Sequence, residues 1–174
     1  MAVTGYHIYR ADQVDGHYQR LTAQPVAQAL YSDFIGANDQ QRWYKVVAVQ
    51  RDGTEAETLG KVDARSCAQD DEAFMTSVQQ ATFRYFWDFA HPQSGLVRER
   101  SGGNPHLCAT GGTGFGLFAI MIGAERGFVT RSEAAERVQR ILTFYQTKAI
   151  RYHGAFAHWI DGRTGKTIPF SAND

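Results

Sequence analysis

At 174 residues the chain is long enough for one ordinary domain or two small ones, so pattern rather than length has to decide the count. Lys+Arg 18 against Asp+Glu 18 leaves no formal net charge, and no basic stripe with interleaved aromatics occurs, which argues against nucleic acid as a partner. The hydrophobic fraction of 43% can supply a packed core, while no apolar run reaches the ~18–20 residues of a membrane-spanning helix, so no membrane span is expected.

From Gly5 to Glu57 short runs rich in Tyr, Val and Ile alternate with turn residues at the spacing of an antiparallel sandwich. Gly5-Tyr6-His7-Ile8-Tyr9-Arg10 is one strand. In another, Tyr44, Val46 and Ala48 alternate with Lys45, Val47 and Val49, and Asp52-Gly53 predicts a hairpin turn into a strand over Thr54 to Leu59. Together with Tyr31-x-Asp33 and the run Trp43 to Val49, these motifs resemble a fibronectin type III domain over about residues 4–60. In that family the Gly-Tyr-x-Ile-Tyr strand is the third, which implies a partial fibronectin type III-like β-sandwich over 1–63 whose first strands are missing and whose Met1 is expected to be an internal or miscalled start.

Leu59 to Asp71 reads as a polar connector, and beyond it the period becomes helical. The first helix places Phe74, Val78, Ala81, Tyr85, Phe86 and Phe89 on a buried stripe, starts on the acidic run Asp70-Asp71-Glu72, leaves Asp88 on its solvated side and ends before Pro92 and Gly95. The second is predicted from near Thr113 to Gly127 and is apolar on nearly every side, as in the inner helix of a bundle or barrel. The third opens on the capping box Thr130-Arg131-Ser132-Glu133 and buries Ala134, Val138, Ile141, Leu142 and Tyr145. An inner helix followed by an amphipathic outer one is the pattern of an α/α barrel.

Thr110-Gly111-Gly112-Thr113-Gly114-Phe115-Gly116 invites a phosphate-loop reading, but no strand is expected before it and no βαβ pattern after it, and close helix packing or exposed N–H groups for sugar hydroxyls fit better. Gly165-Lys166-Thr167 is a turn, because Ile160 stands where a phosphate loop needs its first glycine. His153, His158, His106 and Cys108 lack metal-ligand spacing, so no metal is expected. Cys67 and Cys108 are too few for a disulfide framework and read as free thiols. Glu99 between Arg98 and Arg100 is a poor general acid, since neighbouring cations favour its ionised form. Asp161 precedes Gly162 and reads as a turn residue. Phe115, Phe156, Trp159 and Phe170 adjoin helix ends, where an aromatic face could stack on a pyranose ring, with core packing as the competing role. Trp159, between His158 and Asp161, is the strongest of them.

Five stretches in order carry a wider resemblance: Phe83-Arg84-Tyr85-Phe86-Trp87-Asp88; His91-Pro92-x-Ser94-Gly95-Leu96-Val97-Arg98-Glu99-Arg100; Thr110 to Gly116; Glu125 to Arg131; and His153-Gly154-x-Phe156-x-His158-Trp159-Ile160-Asp161. Residues 72–174 resemble the N-terminal part of the glycoamylase-like catalytic domain of bacterial glycoside hydrolases, whose characterised members include endo-β-1,2-glucanases. The resemblance implies a multidomain β + α chain, with the first helices of an (α/α)6 toroid following the partial sandwich. It further implies acid–base hydrolysis of a β-glucan, β-1,2-glucan above all, without metal or organic cofactor. Arg98, Thr113, Phe115, His158 and Trp159 are the expected substrate-binding residues. The acidic catalytic motif is expected just beyond Asp174, so no catalytic residue is assigned and the chain alone is expected to be inactive. A non-catalytic carbohydrate-binding or adhesive module is the competing expectation. The N-terminus shows no signal peptide, and a periplasmic or secreted location follows from the resemblance alone.

Overall fold

The computed structural model describes residues 3–27, 30–56, 58 and 60–169, which divide into the units Met1–Phe74 and Met75–Asp174. In the first unit β1 (Val3–Ala11) pairs antiparallel with β3 (Gln41–Gln50), matching Tyr6 with Ala48, Ile8 with Val46 and Arg10 with Tyr44. Those six residues therefore share a face. β2 (Gln19–Arg20) extends the sheet beside β1, and β4 (Lys61–Arg65) extends it beside β3, giving the order β2-β1-β3-β4. The described residues of this unit thus form one four-stranded sheet rather than two facing sheets. Arg10 Nη1 donates to Asp33 Oδ2 at 2.8 Å and the Tyr44 hydroxyl donates to the same oxygen at 2.9 Å. Burial, with that carboxylate, pushes the Tyr44 phenol up to about 12.

The hairpin turn forms as predicted. Asp52 Oδ1 accepts from the Thr54 amide at 3.0 Å, Gly53 adopts a φ of +84°, and Gln50 N donates to Thr54 O at 2.9 Å. The returning strand differs from expectation. It pairs at Glu55 and Ala56, and regular pairing resumes only in β4, inside the stretch read as connector. Lys61, Asp63 and Arg65 give β4 the charged character of an edge strand, which disguised Val62 and Ala64. Glu57 and Leu59, the predicted ends of the β run and of the returning strand, lie outside the described residues.

α1 (Asp71–Asp88) begins where Asp70 Oδ1 accepts from the Ala73 amide at 2.8 Å. Its buried side is only partly the one predicted: Tyr85, Phe86 and Phe89 are half-buried, but the N-terminal half of the stripe is not. Phe74 and Val78 are 55% and 42% exposed and Ala81 is exposed, while Phe83 is buried. The ring of Phe83 lies over Gly123, where a Cβ would approach it to 2.4 Å, and it neighbours the rings of Trp87 and Phe128 at 5.6 and 5.8 Å. A glycine on the facing helix, not the densest apolar stripe, decides where α1 makes contact. Asp88 is half-buried beside Arg84, at 3.4 Å, rather than on a solvated side.

β5 (Leu107–Ala109) leads directly into α2 (Thr110–Glu125), which therefore starts three residues before the predicted Thr113; a strand too short to show a period does precede the glycine-rich run, contrary to expectation. Gly127, with φ +72°, follows it as expected. α3 (Arg131–Thr147) carries the predicted capping box. It buries Ala134, Ile141 and Phe144, but Leu142 is 54% exposed, so Phe144 takes the place assigned to Leu142. β6 (Arg151–Tyr152) and β7 (Ala155–Phe156) form a hairpin around His153 and Gly154, both at positive φ, and β8 (Trp159–Asp161) returns to pair with β5. Leu96, Cys108, Ile120, Ala134, Ile141, Phe144 and Ile160 make the core of this unit. Cys67 and Cys108 are free thiols, as expected.

Candidate functional site

The start of α2 is built into a group of short extended segments. Residue 98 bridges to Cys108, β5 pairs with β8 through Cys108 and Ile160, and Ile160 bridges to Thr167. Ala109 N donates to Val97 O at 3.0 Å and Glu99 N to Leu107 O at 2.9 Å. Thr110 then closes the group: its amide donates to His158 O at 3.0 Å and its hydroxyl to Ala157 O at 2.6 Å. From α1, the Tyr85 hydroxyl donates to Arg98 O at 2.9 Å. Segments distant in sequence are thus fixed by main-chain bonds around one helix N-terminus.

The five expected substrate-binding residues occupy different positions in this group. Thr113 is 1% exposed, and its hydroxyl donates to Ala109 O at 2.8 Å while accepting from Val97 N at 3.1 Å. It braces the loop from behind. His158 is exposed and Trp159 half-buried, their ring centroids 5.7 Å apart, and Trp159 sits opposite Ala109. Arg98 is half-buried and donates from Nη2 to Ser101 O at 3.0 Å, with its Nε buried and without a hydrogen-bond partner among the described residues. Phe115 is 74% exposed on the flank of α2 facing away from Thr113 and stands apart from the hydrogen-bonded group. Beside it, a Cβ at Gly111 or Gly114 would meet no neighbouring atom within 4 Å, so this flank is open.

Both local carboxylates are held ionised. Arg100 clamps Glu99 through two guanidinium hydrogen bonds, one of 2.8 Å from Nη2 and one from Nε, and holds its carboxyl below the usual range, with His158 adding a smaller pull in the same direction. Arg163 donates to Asp161 at 2.8 Å, the amides of Arg163 and Thr164 add 2.8 and 3.1 Å bonds, and together they hold the Asp161 carboxyl well below the carboxylate range. Neither group can serve as a proton donor near neutral pH. Each can accept hydrogen bonds.

Other readings resolve locally. Phe156 packs on Tyr145 at 4.6 Å and under Arg151, so it is an anchor for the β6–β7 hairpin. Gly165, with φ +75° and its amide bonded to Asp161 O, belongs to a turn. Gly116 lets Val97 approach, since a Cβ there would lie 2.5 Å from Val97 Cγ2. Phe170 and Asp174 lie outside the described residues. A cluster of buried His91, Ser94 and Cys108 with half-buried His106 beneath the strands was not foreseen as a unit. The signal available was His91-Pro92-x-Ser94, a histidine held in a turn three residues from a hydroxyl.

No family model matches the chain. It is 42% identical over 170 residues, 95% of its length, to an exo-β-1,2-glucooligosaccharide sophorohydrolase (non-reducing end) of Parabacteroides distasonis, of which it covers 23%. A crystal structure of β-1,2-glucanase from that organism superposes with a TM-score of 0.86 and 40% identity over 97% of this chain and 24% of that one. Over nearly its whole length the chain is therefore similar to glycoamylase-like, β-1,2-glucanase-like proteins. An endo-β-1,2-glucanase of Chitinophaga pinensis, solved with sophorotriose and glucose, matches 59% of this chain and 26% of its own at 41% identity and a TM-score of 0.56. The chain spans about a quarter of the length of these family members.

Proposed function

We propose that this chain supplies one wall of the substrate cleft of a glycoside hydrolase acting on β-1,2-linked glucans or glucooligosaccharides. The carrying observation is the 42% identity, extending over 95% of the chain, to a protein named for that chemistry. The site agrees with it: exposed Phe115 and the His158–Trp159 pair offer ring faces, and the ionised Glu99 and Asp161 offer hydroxyl acceptors. Arg98, with Thr113 bracing the loop behind it, completes the wall.

Hydrolysis of a glycosidic bond needs a protonated acid and a second carboxylate. Glu99 and Asp161 are locked ionised by their arginines, so the proposed acid comes from residues other than these two. In this reading the N-terminal sheet is the partial fibronectin type III-like domain over 1–63. Its order β2-β1-β3-β4 corresponds to the C′-C-F-G sheet of such sandwiches. Residues 72–174 are the first helices of an (α/α)6 toroid, with α2 as an inner helix, in keeping with its exposed Phe118, Met121 and Ile122.

Calorimetry of the purified chain with β-1,2-glucooligosaccharides tests the proposal. Binding that Trp159→Ala weakens about tenfold, the value of one buried aromatic stacking contact, supports it. Equal affinity for β-1,4-linked oligomers, or binding unchanged by Trp159→Ala, overturns it. A non-catalytic binding module is favoured by the same locked carboxylates, and sugar release from β-1,2-glucan by this chain alone would exclude that second reading.

A further inference from the structure

His91 is 1% exposed, at the base of the group that carries His158 and Trp159. Its Nε2 lies 3.1 Å from His106 Nδ1, and its Nδ1 lies 3.1 Å from Ser94 Oγ and 3.4 Å from the Ser94 amide. An amide N–H can only donate, so Nδ1 is the acceptor and the proton of neutral His91 sits on Nε2, pointing at His106. His106 in turn accepts at Nδ1, and its carbonyl accepts from Gly162 N at 2.9 Å, one residue beyond β8. Gly162 has no room to move inward: a Cβ there would lie 2.6 Å from His91 Cγ and 2.8 Å from Cys108 Sγ.

We infer that His91 and His106 form an acid-labile latch, in which neutral His91 positions His106 and, through the His106 carbonyl, the end of the strand that presents Trp159. A proton added to His106 Nδ1 leaves two donors facing each other across the pair. His91 can escape only by moving its own proton to Nδ1, which forfeits the Ser94 amide bond. A proton added to His91 instead charges a buried ring. Around that ring stand Arg98 from the 97–99 segment, Cys108 from β5, Asp161 from β8 and Arg163 from the turn after it. Asp161 favours the cation while Arg98 and Arg163 oppose it, and burial pushes His91 down first of all. Cys108, pushed up to about 12 by burial, stays a neutral thiol throughout. From α3, Arg140 approaches Pro92 O and Arg137 lies against Gly95, adding positive charge on the outer side of the turn.

The consequence for sugar binding rests on the function proposed above, whereas the latch itself does not. Exchange of the Gly162 amide, measured by NMR on the full chain and corrected for intrinsic rate, reads the latch directly. Protection is expected to fall about tenfold per pH unit below the imidazole range near 6.5, as one proton is taken up on opening. His106→Asn places a carbonyl oxygen where Nδ1 stood and cannot take up that proton. It is expected to keep protection near neutrality and to move the loss to lower pH, while His106→Leu loses protection throughout. Long-range imidazole ¹H–¹⁵N correlations are expected to show His91 as the Nε2–H tautomer. Protection that is flat with pH, an acid loss unchanged in His106→Asn, or an Nδ1–H tautomer at neutral pH overturns the inference. The exchange needs no sugar, so undetected β-1,2-glucooligosaccharide binding counts against the proposed function alone.

Discussion

The two flanks of α2 meet opposite fates, and the one richer in large hydrophobic residues is the exposed one. One flank, Thr113, Gly116, Ile120 and Gly123, is buried, and of these four only Ile120 is a large hydrophobe. The other carries Phe115, Phe118, Met121 and Ile122 at 74%, 65%, 55% and 55% exposure. The buried residues recur at three- and four-residue spacing, as one stripe of a helix must. Small residues won that stripe because Val97 and Phe83 approach closer than any Cβ there would allow. Hydrophobicity alone did not choose the packed side. Between α2 and α3 an open groove of about 1020 Å³, lined by Ile120, Met121, Val138 and Leu142 among others, continues the uncovered flank.

Adjacent residues of α3 give the largest test of this contrast. Ile141 is 0% exposed in the core and Leu142 is 54% exposed in the groove. Ile141→Ala is expected to cost about 2–5 kcal/mol in urea unfolding, from lost burial and the cavity left behind. Leu142→Ala is expected to stay within about 0.5 kcal/mol. Equal losses would mean that the groove is filled in solution, and the contrast would fail. A second test uses one residue type on both flanks. Gly123→Ala drives a methyl into the Phe83 ring and is expected to cost about 1–3 kcal/mol. Gly114→Ala meets open space in the same helix and is expected to stabilise by up to about 1 kcal/mol through helix propensity.

The sequence made the helices, the capping box, the Asp52-Gly53 hairpin and the turn role of Asp161 legible, because each depends on neighbours within a few residues. It misassigned what depends on a facing surface. The stripe of α1 was read from its apolar residues, yet Phe83 is buried by a glycine forty residues away on α2. β4 was hidden because an edge strand needs only Val62 and Ala64 between its charges. At the candidate site, Trp159 and His158 were found from a local run, but the roles of Thr113 and His91 emerge only when the 97–99 segment and strands β5 and β8 come together. Three-residue strands carry no period long enough to detect.

The smallest expected effect lies at the start of α3, where the polar rule that orders the closed end of α2 can be tested in isolation. Thr130 Oγ1 accepts from Glu133 N at 3.2 Å, and Glu133 Oε2 accepts from the Thr130 hydroxyl and amide at 2.7 and 2.8 Å. Thr130→Ala removes the side-chain half of this box and is expected to cost about 1 kcal/mol. The Thr130 hydroxyl first, and then its amide, hold the Glu133 carboxyl below its ordinary range. The unfolded chain therefore binds a proton at higher pH than the folded one does. This contribution is fully present above the unfolded carboxylate value of about 4.3 and fades as pH falls through the lower folded value. Glu133→Gln keeps an acceptor oxygen but cannot ionise, so its stability curve is expected to run below the parent above that window and to converge with it in acid. A constant offset between the two curves would assign the box to shape alone. A convergent one shows that a local charge-assisted bond stabilises α3 where no tertiary partner does, the opposite of the arrangement that closes α2.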